Sequence, residues 1–467
     1  MHRNNRLLTG LTVLTVGIGV LFAPSSASAA SHTPPLDEFL RRTLDGLDFE
    51  EVLDLAPPTT AQARASVVTT DKEAAPGVRR AAVAPAAAPI SQQPQIDATV
   101  LELDSAGRIV DSATVLMSPQ YPAGVIVDVD RNLHTDDVRW REWDDAGWYA
   151  NQGQGTVDIV PGREDAPLDF MSPYPASVLK LMVAFGVLRL VDRGVAGLDD
   201  TYVYEPTLPS TLCGPASSNT LRGYLDASLT ESSNEASCAL IKFLWDNNAV
   251  DALNQTFRDL GLETLRLQNT RPENGGRWTN ALTMSSLDTA KLLAIVNGGP
   301  GTLWNAPDGH PVTRNELSRG SREFFLSTLR QQGWNWMLST TNYCGREYPA
   351  AGIPQKIAPR WIAADGTVTV AGNAFGEDVR PCNRAAEVTF AHKPGWVPNS
   401  GADSGIVSSL PGKRKRHYII SVFSNLGDQY TDPNRPPTPE GTVPVQYTEK
   451  FAQLGALIDS YEAAKRR

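Results

Sequence analysis

The stretch Pro175-Ala-Ser177-Val-Leu-Lys180-Leu-Met-Val-Ala-Phe-Gly-Val-Leu-Arg-Leu190 decides how this chain is interpreted. Its second half is apolar nearly all round, which is typical of a buried central helix. Ser177 and Lys180 are three residues apart, so on a helix their side chains share one face, a turn apart. A serine hydroxyl is a weak nucleophile until a neighbouring base takes its proton. The stretch therefore predicts covalent catalysis, with Ser177 as the nucleophile and Lys180 as its base.

The start of this helix suits acyl transfer. Backbone N–H groups at a helix N-terminus have no partner within the helix and can stabilise an oxyanion. Burial of Lys180 would favour its neutral amine, which can accept the proton of Ser177. In the competing interpretation Ser177 is an ordinary first-turn residue and Lys180 reaches solvent. The tetrapeptide alone does not exclude that interpretation.

Two further motifs favour the catalytic interpretation. Ser232-Ser-Asn234 opens a helix-like run, and Lys393-Pro-Gly395 follows a strand-like run. With Ser177 and Lys180, this order resembles the penicillin-recognising serine hydrolases. It is most similar to class A β-lactamases, whose motifs are SxxK, SDN and KTG. The resemblance covers residues 154–467.

The resemblance implies a role for each motif residue. Ser232 would pass a proton to the leaving nitrogen, and Asn234 would hold Lys180 and the substrate amide. Lys393 would attract the substrate carboxylate. The backbone N–H groups of Ser177 and Trp396 would form the oxyanion hole. The substrate-binding residues implied in this way are Asn234, Lys393, Gly395 and Trp396.

The chain departs from the family pattern at two motif positions and in one loop. Ser233 replaces an aspartate, and Pro394 replaces a threonine whose hydroxyl could bind the substrate carboxylate. A proline is acceptable there on an edge strand. Arg271-Pro-Glu273 offers Glu273 as the base for deacylation, although the loop before Asn280 is shorter than the family's. Glu273 is equally well explained as a solvated loop acid.

Composition limits the partners. The net charge of −10 over 467 residues argues against nucleic acid, which needs a basic face. We expect a small-molecule β-lactam or a peptidoglycan stem peptide as the substrate, and a monomer. The cluster Lys413-Arg-Lys-Arg416 is interpreted as a solvated hairpin turn. No cofactor is implied, and no metal, because no HExxH or CxxC pattern occurs.

Residues 1–29 have the pattern of an export signal, with a short basic head, an apolar stretch and Ala27-Ser-Ala29 before a cut. An uncleaved anchor is the alternative, but the apolar stretch is short and interrupted by glycines. We therefore expect a secreted protein. In an oxidising compartment four cysteines allow three pairings. Proximity in the sequence favours Cys213 with Cys238 and Cys344 with Cys382.

The chain is divided by pattern into four parts: a signal at 1–29, a helix and an Ala/Pro-rich linker at 30–95, a β extension at 96–153, and a hydrolase domain at 154–467. Early strands, a helical block and late strands predict an α+β fold. In this fold an antiparallel sheet of N- and C-terminal strands packs against an all-helical subdomain, as in β-lactamases and D,D-peptidases. An insertion at 298–380 is expected beside the cleft.

The leading functional hypothesis is a secreted serine hydrolase that is acylated on Ser177 and hydrolyses β-lactam amides. The alternatives are a D-alanyl-D-alanine carboxypeptidase or transpeptidase, and a catalytically impaired binding module of the same fold. A Ser-His-Asp esterase is disfavoured because no GxSxG turn occurs. His392 is then a strand residue beside Lys393.

Overall fold

The structure is a computed structural model. It describes residues 34–55, 87–90, 94–144, 157–208, 210–278, 282–346, 350–435, 443–445 and 449–465. The described residues from Pro35 onward belong to one compact unit. The predicted export signal and Asn280 lie outside the described residues.

The sequence pattern predicts mainly helices from Ala176 to about Asn297, and the described residues in this range are mainly helical. Another long helix closes the chain. None of them is long and apolar enough to cross a bilayer. They are α1 (Leu36–Asp45), α2 (Lys180–Asp192), α3 (Leu221–Thr230), α4 (Asn234–Asp246), α5 (Val250–Asp259), α6 (Ser286–Asn297), α7 (Arg319–Leu329), α8 (Arg380–Ala385) and α9 (Lys450–Lys465).

Long strands form the central sheet, and short ones make local pairs. The strands are β1 (Leu53–Asp54), β2 (Ala88–Pro89), β3 (Ile96–Leu103), β4 (Ile109–Ser118), β5 (Tyr121–Ile126), β6 (Val138–Arg141), β7 (Leu168–Met171), β8 (Thr201–Tyr204), β9 (Ser217–Thr220), β10 (Thr302–Asn305), β11 (Pro311–Thr313), β12 (Thr369–Val370), β13 (Asn373–Ala374), β14 (Val388–Val397), β15 (Ser400–Ser409), β16 (His417–Ser424) and β17 (Tyr430–Thr431).

The central sheet has the order β14-β15-β16-β3-β4-β5, with antiparallel neighbours throughout. Early and late strands meet where β3 pairs with β16, with Leu101 opposite Ile419 and Val100 opposite Ile420. The first pair packs in the core that also holds the helices around α2, and the second pair packs in the core of the opposite face. Covering both faces buries all eight residues of β3. The predicted α+β fold is confirmed.

The predicted β extension at 96–153 and the predicted hydrolase domain at 154–467 both contribute strands to the central sheet. Strands β3, β4 and β5 are hydrogen-bonded into the same sheet as β14 to β16, within one compact unit. The sequence at 156–160 has a strand-like pattern, but its described part is not a strand. There only Asp158 forms a bridge, to Arg141. Turn-rich sequence separates these segments along the chain, but strand pairing joins them in space.

Helix α1, within the helix and linker segment predicted at 30–95, packs on the central sheet and on α9. Leu40 and Leu44 are fully buried, and the Phe39 ring stacks on Tyr461 of α9 with centroids 4.1 Å apart. Part of the expected linker is ordered too, because β2 pairs with β1. The helix therefore covers the outer face of the sheet.

Both disulfides follow the pairing that sequence proximity favoured. Cys213 joins Cys238 of α4, and Cys344 joins Cys382 of α8. The second bond ties together two parts of the segment between α7 and β14. The basic cluster at 413–416 does lie in a hairpin turn, between β15 and β16, but Arg416 is not solvated. It is buried against carboxylates of Asp459 and Glu387.

Candidate active site

The segment that precedes the predicted nucleophile, Ser177, is an irregular turn held by side-chain hydrogen bonds. The Ser172 hydroxyl donates to the carbonyl of Met284 at 2.9 Å, and the Ser400 hydroxyl donates to the carbonyl of Tyr174. Ala176 has a φ of 45°, a left-handed conformation that costs a side-chain-bearing residue about 1–3 kcal/mol. A tight 3-10 turn at Ala176–Leu179 then leads into α2. Strain of this kind next to Ser177 indicates that its position is set by the surrounding structure.

Lys180 is completely buried at the start of α2 and reaches both Ser177 and the second motif. Its Nζ lies 2.7 Å from Ser177 Oγ and 2.7 Å from Asn234 Oδ1. It also lies 2.8 Å from the Ser232 carbonyl and 3.0 Å from Ser232 Oγ. These oxygens are uncharged, so burial favours the neutral amine more than it would beside a carboxylate. A neutral amine at this distance can take the proton of Ser177.

The second motif lies at the start of α4. Ser232 has a φ of 62°, which turns the chain so that both its hydroxyl and its carbonyl reach Lys180. Ser233 is the N-cap residue of α4, and its hydroxyl accepts the N–H of Ala236 at 3.1 Å. A serine therefore performs the capping role that an aspartate could also perform at this position.

Lys393 of β14 completes the cluster. Its buried Nζ donates to Ser232 Oγ at 3.0 Å and to the carbonyl of Pro394 at 2.6 Å. The Ser232 hydroxyl is thus contacted by two amines, those of Lys180 and Lys393. Two ammonium charges so close repel each other, which favours the neutral form of one of them. This arrangement can pass a proton through the hydroxyl of Ser232.

Gly395 allows β14 to pass directly over the nucleophile turn. A Cβ atom at this position would lie 2.5 Å from the backbone nitrogen of Ser177 and 2.9 Å from that of Val178. Trp396 is the next residue, so its backbone follows the same path. Its ring packs on the other face, 4.5 Å between centroids from Trp336. The approach of β14 brings the two predicted oxyanion donors, Ser177 and Trp396, to the same place in the fold.

Pro394 is compatible with its strand. Strand β14 lies at one edge of the sheet, where a missing N–H costs least. Pro394 stands opposite Asp403 of β15 in the register. The replacement of threonine by proline therefore leaves the strand intact, while it removes the side-chain hydroxyl and one backbone N–H.

Glu273 is the predicted site residue that the structure does not bring into the cluster. It is exposed, in a one-turn helix at Pro272–Asn274, and its carbonyl accepts the N–H of Leu208. The turn packs on the middle of α4, since a Cβ on Gly276 would lie 2.5 Å from the carbonyl of Cys238. Among the contacts of the described residues, none joins the Glu273 carboxylate to Ser177 or Lys180.

Part of the predicted insertion at 298–380, the segment Gln332 to Trp334, joins the second motif to β14. The Gln332 side-chain amide donates to the carbonyls of Leu229 and His392, at 2.7 and 3.3 Å. Next to it, the Gly333 N–H donates to the Thr230 carbonyl at 2.9 Å. The Trp334 indole N–H donates to the Glu231 carbonyl at 2.7 Å. No local sequence pattern could predict these contacts, because each of them joins residues that are 60 to 103 positions apart in the sequence.

His392 is a buried strand residue, as expected. Its Nδ1 lies 2.8 Å from Asp403 Oδ1, and its Nε2 lies 2.9 Å from Asn335 Oδ1. The Asn335 amide nitrogen also donates to the carbonyl of Gln332 at 3.3 Å, which connects this network to the segment after α7. The network lies on the face of β14 opposite to Lys393 and helps to hold the strand in position.

Known proteins resemble this chain in sequence and in fold. Residues 171–358 match the family described as "Beta-lactamase enzyme family". No curated protein sequence matches the chain. Similar solved structures include a PBP-A mutant in an acyl-enzyme complex with penicillin G, with 20% identity, 64% of this chain and 86% of that chain covered, and a TM-score of 0.37.

Two further similar structures are β-lactamases. One is from Chitinophaga pinensis DSM 2588, with 17% identity, 63% of this chain and 86% of that chain covered, and a TM-score of 0.38. The other is a representative of class A β-lactamase from Bacteroides cellulosilyticus DSM 14838, with 13% identity, 80% and 94% covered, and a TM-score of 0.42.

The family match includes the first two motifs and ends before Lys393. Together with the order of the three motifs, it supports the predicted resemblance to the penicillin-recognising serine hydrolases. Residues 171–358 thus match the β-lactamase enzyme family, within a chain whose described residues have an α+β fold.

Proposed function

We propose that this protein is an exported serine hydrolase that forms an acyl-enzyme on Ser177 with β-lactam amides. The observation that supports the proposal most strongly is the convergence of Ser177, Lys180, Ser232 and Lys393 through hydrogen bonds of 2.7 to 3.0 Å. Nucleophile, base and proton relay are in contact before a substrate arrives, which is what covalent catalysis requires.

The chemistry follows from these contacts. Lys180 takes the proton of Ser177 while the serine oxygen bonds to the amide carbonyl carbon. The oxyanion is stabilised by backbone N–H groups of Ser177 and Trp396. The proton then passes to Ser232 Oγ and on to the leaving nitrogen as the carbon–nitrogen bond breaks. Water later hydrolyses the ester and restores the serine.

A second candidate is a D,D-peptidase-like enzyme whose β-lactam acyl-enzyme is long-lived. It is favoured by the exposed position of Glu273, outside the cluster. Without a base that activates water, acylation by a β-lactam proceeds but its hydrolysis is slow.

One experiment tests both candidates. The protein lacking residues 1–29 is incubated with a chromogenic cephalosporin, while product colour and intact protein mass are followed. Repeated turnover supports a β-lactamase, and a persistent mass increase supports the peptidase-like enzyme. No mass increase, or an equal increase in Ser177→Ala, would contradict acylation on Ser177 and leave the binding-module alternative.

Export is part of the proposal, and the two disulfides support it, because such bonds persist in oxidising compartments. N-terminal sequencing of protein recovered from the culture medium checks it. The expected first residue is Ala30. An intact Met1 on membrane-bound protein would contradict it.

A further inference from the structure

A groove of about 530 Å³ lies away from the candidate active site, beside α8 and the β15–β16 turn. Its charged lining is basic and consists of Lys356, Arg380 and Arg384 of α8, and Lys413 of the turn. Among the described residues that line it, none is acidic. This concentration of positive charge contrasts with the net charge of −10 of the whole chain.

Three of the four cations are available to a ligand. Arg380 is committed, because its guanidinium pairs with Asp378 and donates to the carbonyls of Ala364 and Asp365. Within the described part of the chain, Lys356, Arg384 and Lys413 form no hydrogen bond or ion pair through their side chains. All three are exposed. Unpaired cations around a concavity create a positive potential that attracts anions.

The groove is held by the backbone rather than by flexible side chains. The Lys356 N–H donates to the carbonyl of Val388 at 2.9 Å, and the Leu410 N–H donates to that of Glu387 at 2.8 Å. The disulfide from Cys344 to Cys382 fixes α8. A rigid concavity loses little conformational entropy when a ligand binds, which favours affinity.

The shape of the groove favours a chain-like ligand. Ala386, Leu410 and Pro411 supply an apolar part of the lining. A flat bilayer surface does not enter a concavity, whereas a single extended polymer does. Three separated cations also match repeated negative charges better than one small anion, because each contact adds its own counterion release.

We propose that this groove, lined by Lys356, Arg384 and Lys413, binds a linear polyanion that carries repeated phosphate groups. The groove lies at the start of β14, five residues before Lys393, or about 17 Å along the strand. A polymer bound there holds the protein on an anionic matrix while the candidate active site stays open.

The test measures binding of long-chain polyphosphate to the protein from Ala30 onward by isothermal titration calorimetry. The double variant Lys356→Glu with Arg384→Glu should weaken binding at least tenfold. The matched control is Arg131→Glu with Arg193→Glu, which changes the net charge equally at two exposed arginines away from the groove. The control should stay within twofold of the wild type.

Equal loss in both double variants, or no loss in either, would overturn the proposal. So would a wild-type affinity for inorganic phosphate equal to that for the polymer, or binding to phosphatidylglycerol vesicles without binding to polyphosphate. Circular dichroism and thermal unfolding show whether each variant is folded, and a second test with Lys413→Glu alone covers a folding failure. No β-lactam takes part, so the result is independent of the proposed function.

Discussion

Trp334 donates its indole N–H to the backbone carbonyl of Glu231 across 2.7 Å, which ties the segment after α7 to the residue before Ser232. Ser232 has a left-handed backbone conformation, which is sparsely populated for a residue with a side chain. A conformation of that kind persists only when its surroundings hold it. Trp334 is therefore inferred to be a positioning residue for the Ser232 hydroxyl.

Trp334→Phe should slow acylation of Ser177 about fivefold, because the lost hydrogen bond is worth about 1 kcal/mol. The rate of labelling by a fluorescent penicillin measures it. Trp304→Phe is the matched control, since its buried indole donates to the Leu260 carbonyl at 2.8 Å, far from the motifs in sequence. Equal slowing in both variants would show a general loss of stability instead of positioning.

Gly395 tests the close approach of β14 to the nucleophile turn. Gly395→Ala places a methyl group 2.5 Å from the backbone nitrogen of Ser177, so the strand or the turn must move. We expect the acylation rate to fall at least tenfold. Gly320→Ala is the control, because the nearest atom to its added methyl group is 3.9 Å away. An unchanged labelling rate in Gly395→Ala would contradict the proposed oxyanion site.

The sheet and the three motifs could be predicted because each rests on a local pattern: strand runs, a buried helix and short polar motifs at element starts. The pairing of Ile96 with Ser424 and the contact of Trp334 with Glu231 could not, because they join residues far apart in sequence. The family resemblance suggests Glu273 through the nearby Arg271 and the segment that begins at Asn280, but sequence adjacency does not determine which way a loop faces.

Glu273→Gln tests whether that carboxylate activates water. Because Glu273 is exposed and outside the cluster, we expect the lifetime of the penicillin acyl-enzyme to stay within twofold of the wild type. Intact-mass measurement after removal of excess penicillin gives the lifetime. A hundredfold longer lifetime would match the loss of a general base and would identify Glu273 as the deacylation base.

Asp97 predicts how stability changes with pH. Burial is the main cause that raises the pKa of its carboxyl to about 7, although hydrogen bonds from the hydroxyl and N–H of Ser286 oppose the rise. In the unfolded chain the same group titrates near pH ~4. Between these two values the folded protein holds the extra proton, so the free energy of unfolding falls as the pH rises from about 4 to about 7, by at most about 1.4 kcal/mol per pH unit.

Asp97→Asn removes this contribution, and urea unfolding of both proteins at several pH values measures the difference. Parallel pH profiles would show that Asp97 is ionised in the folded protein across this range.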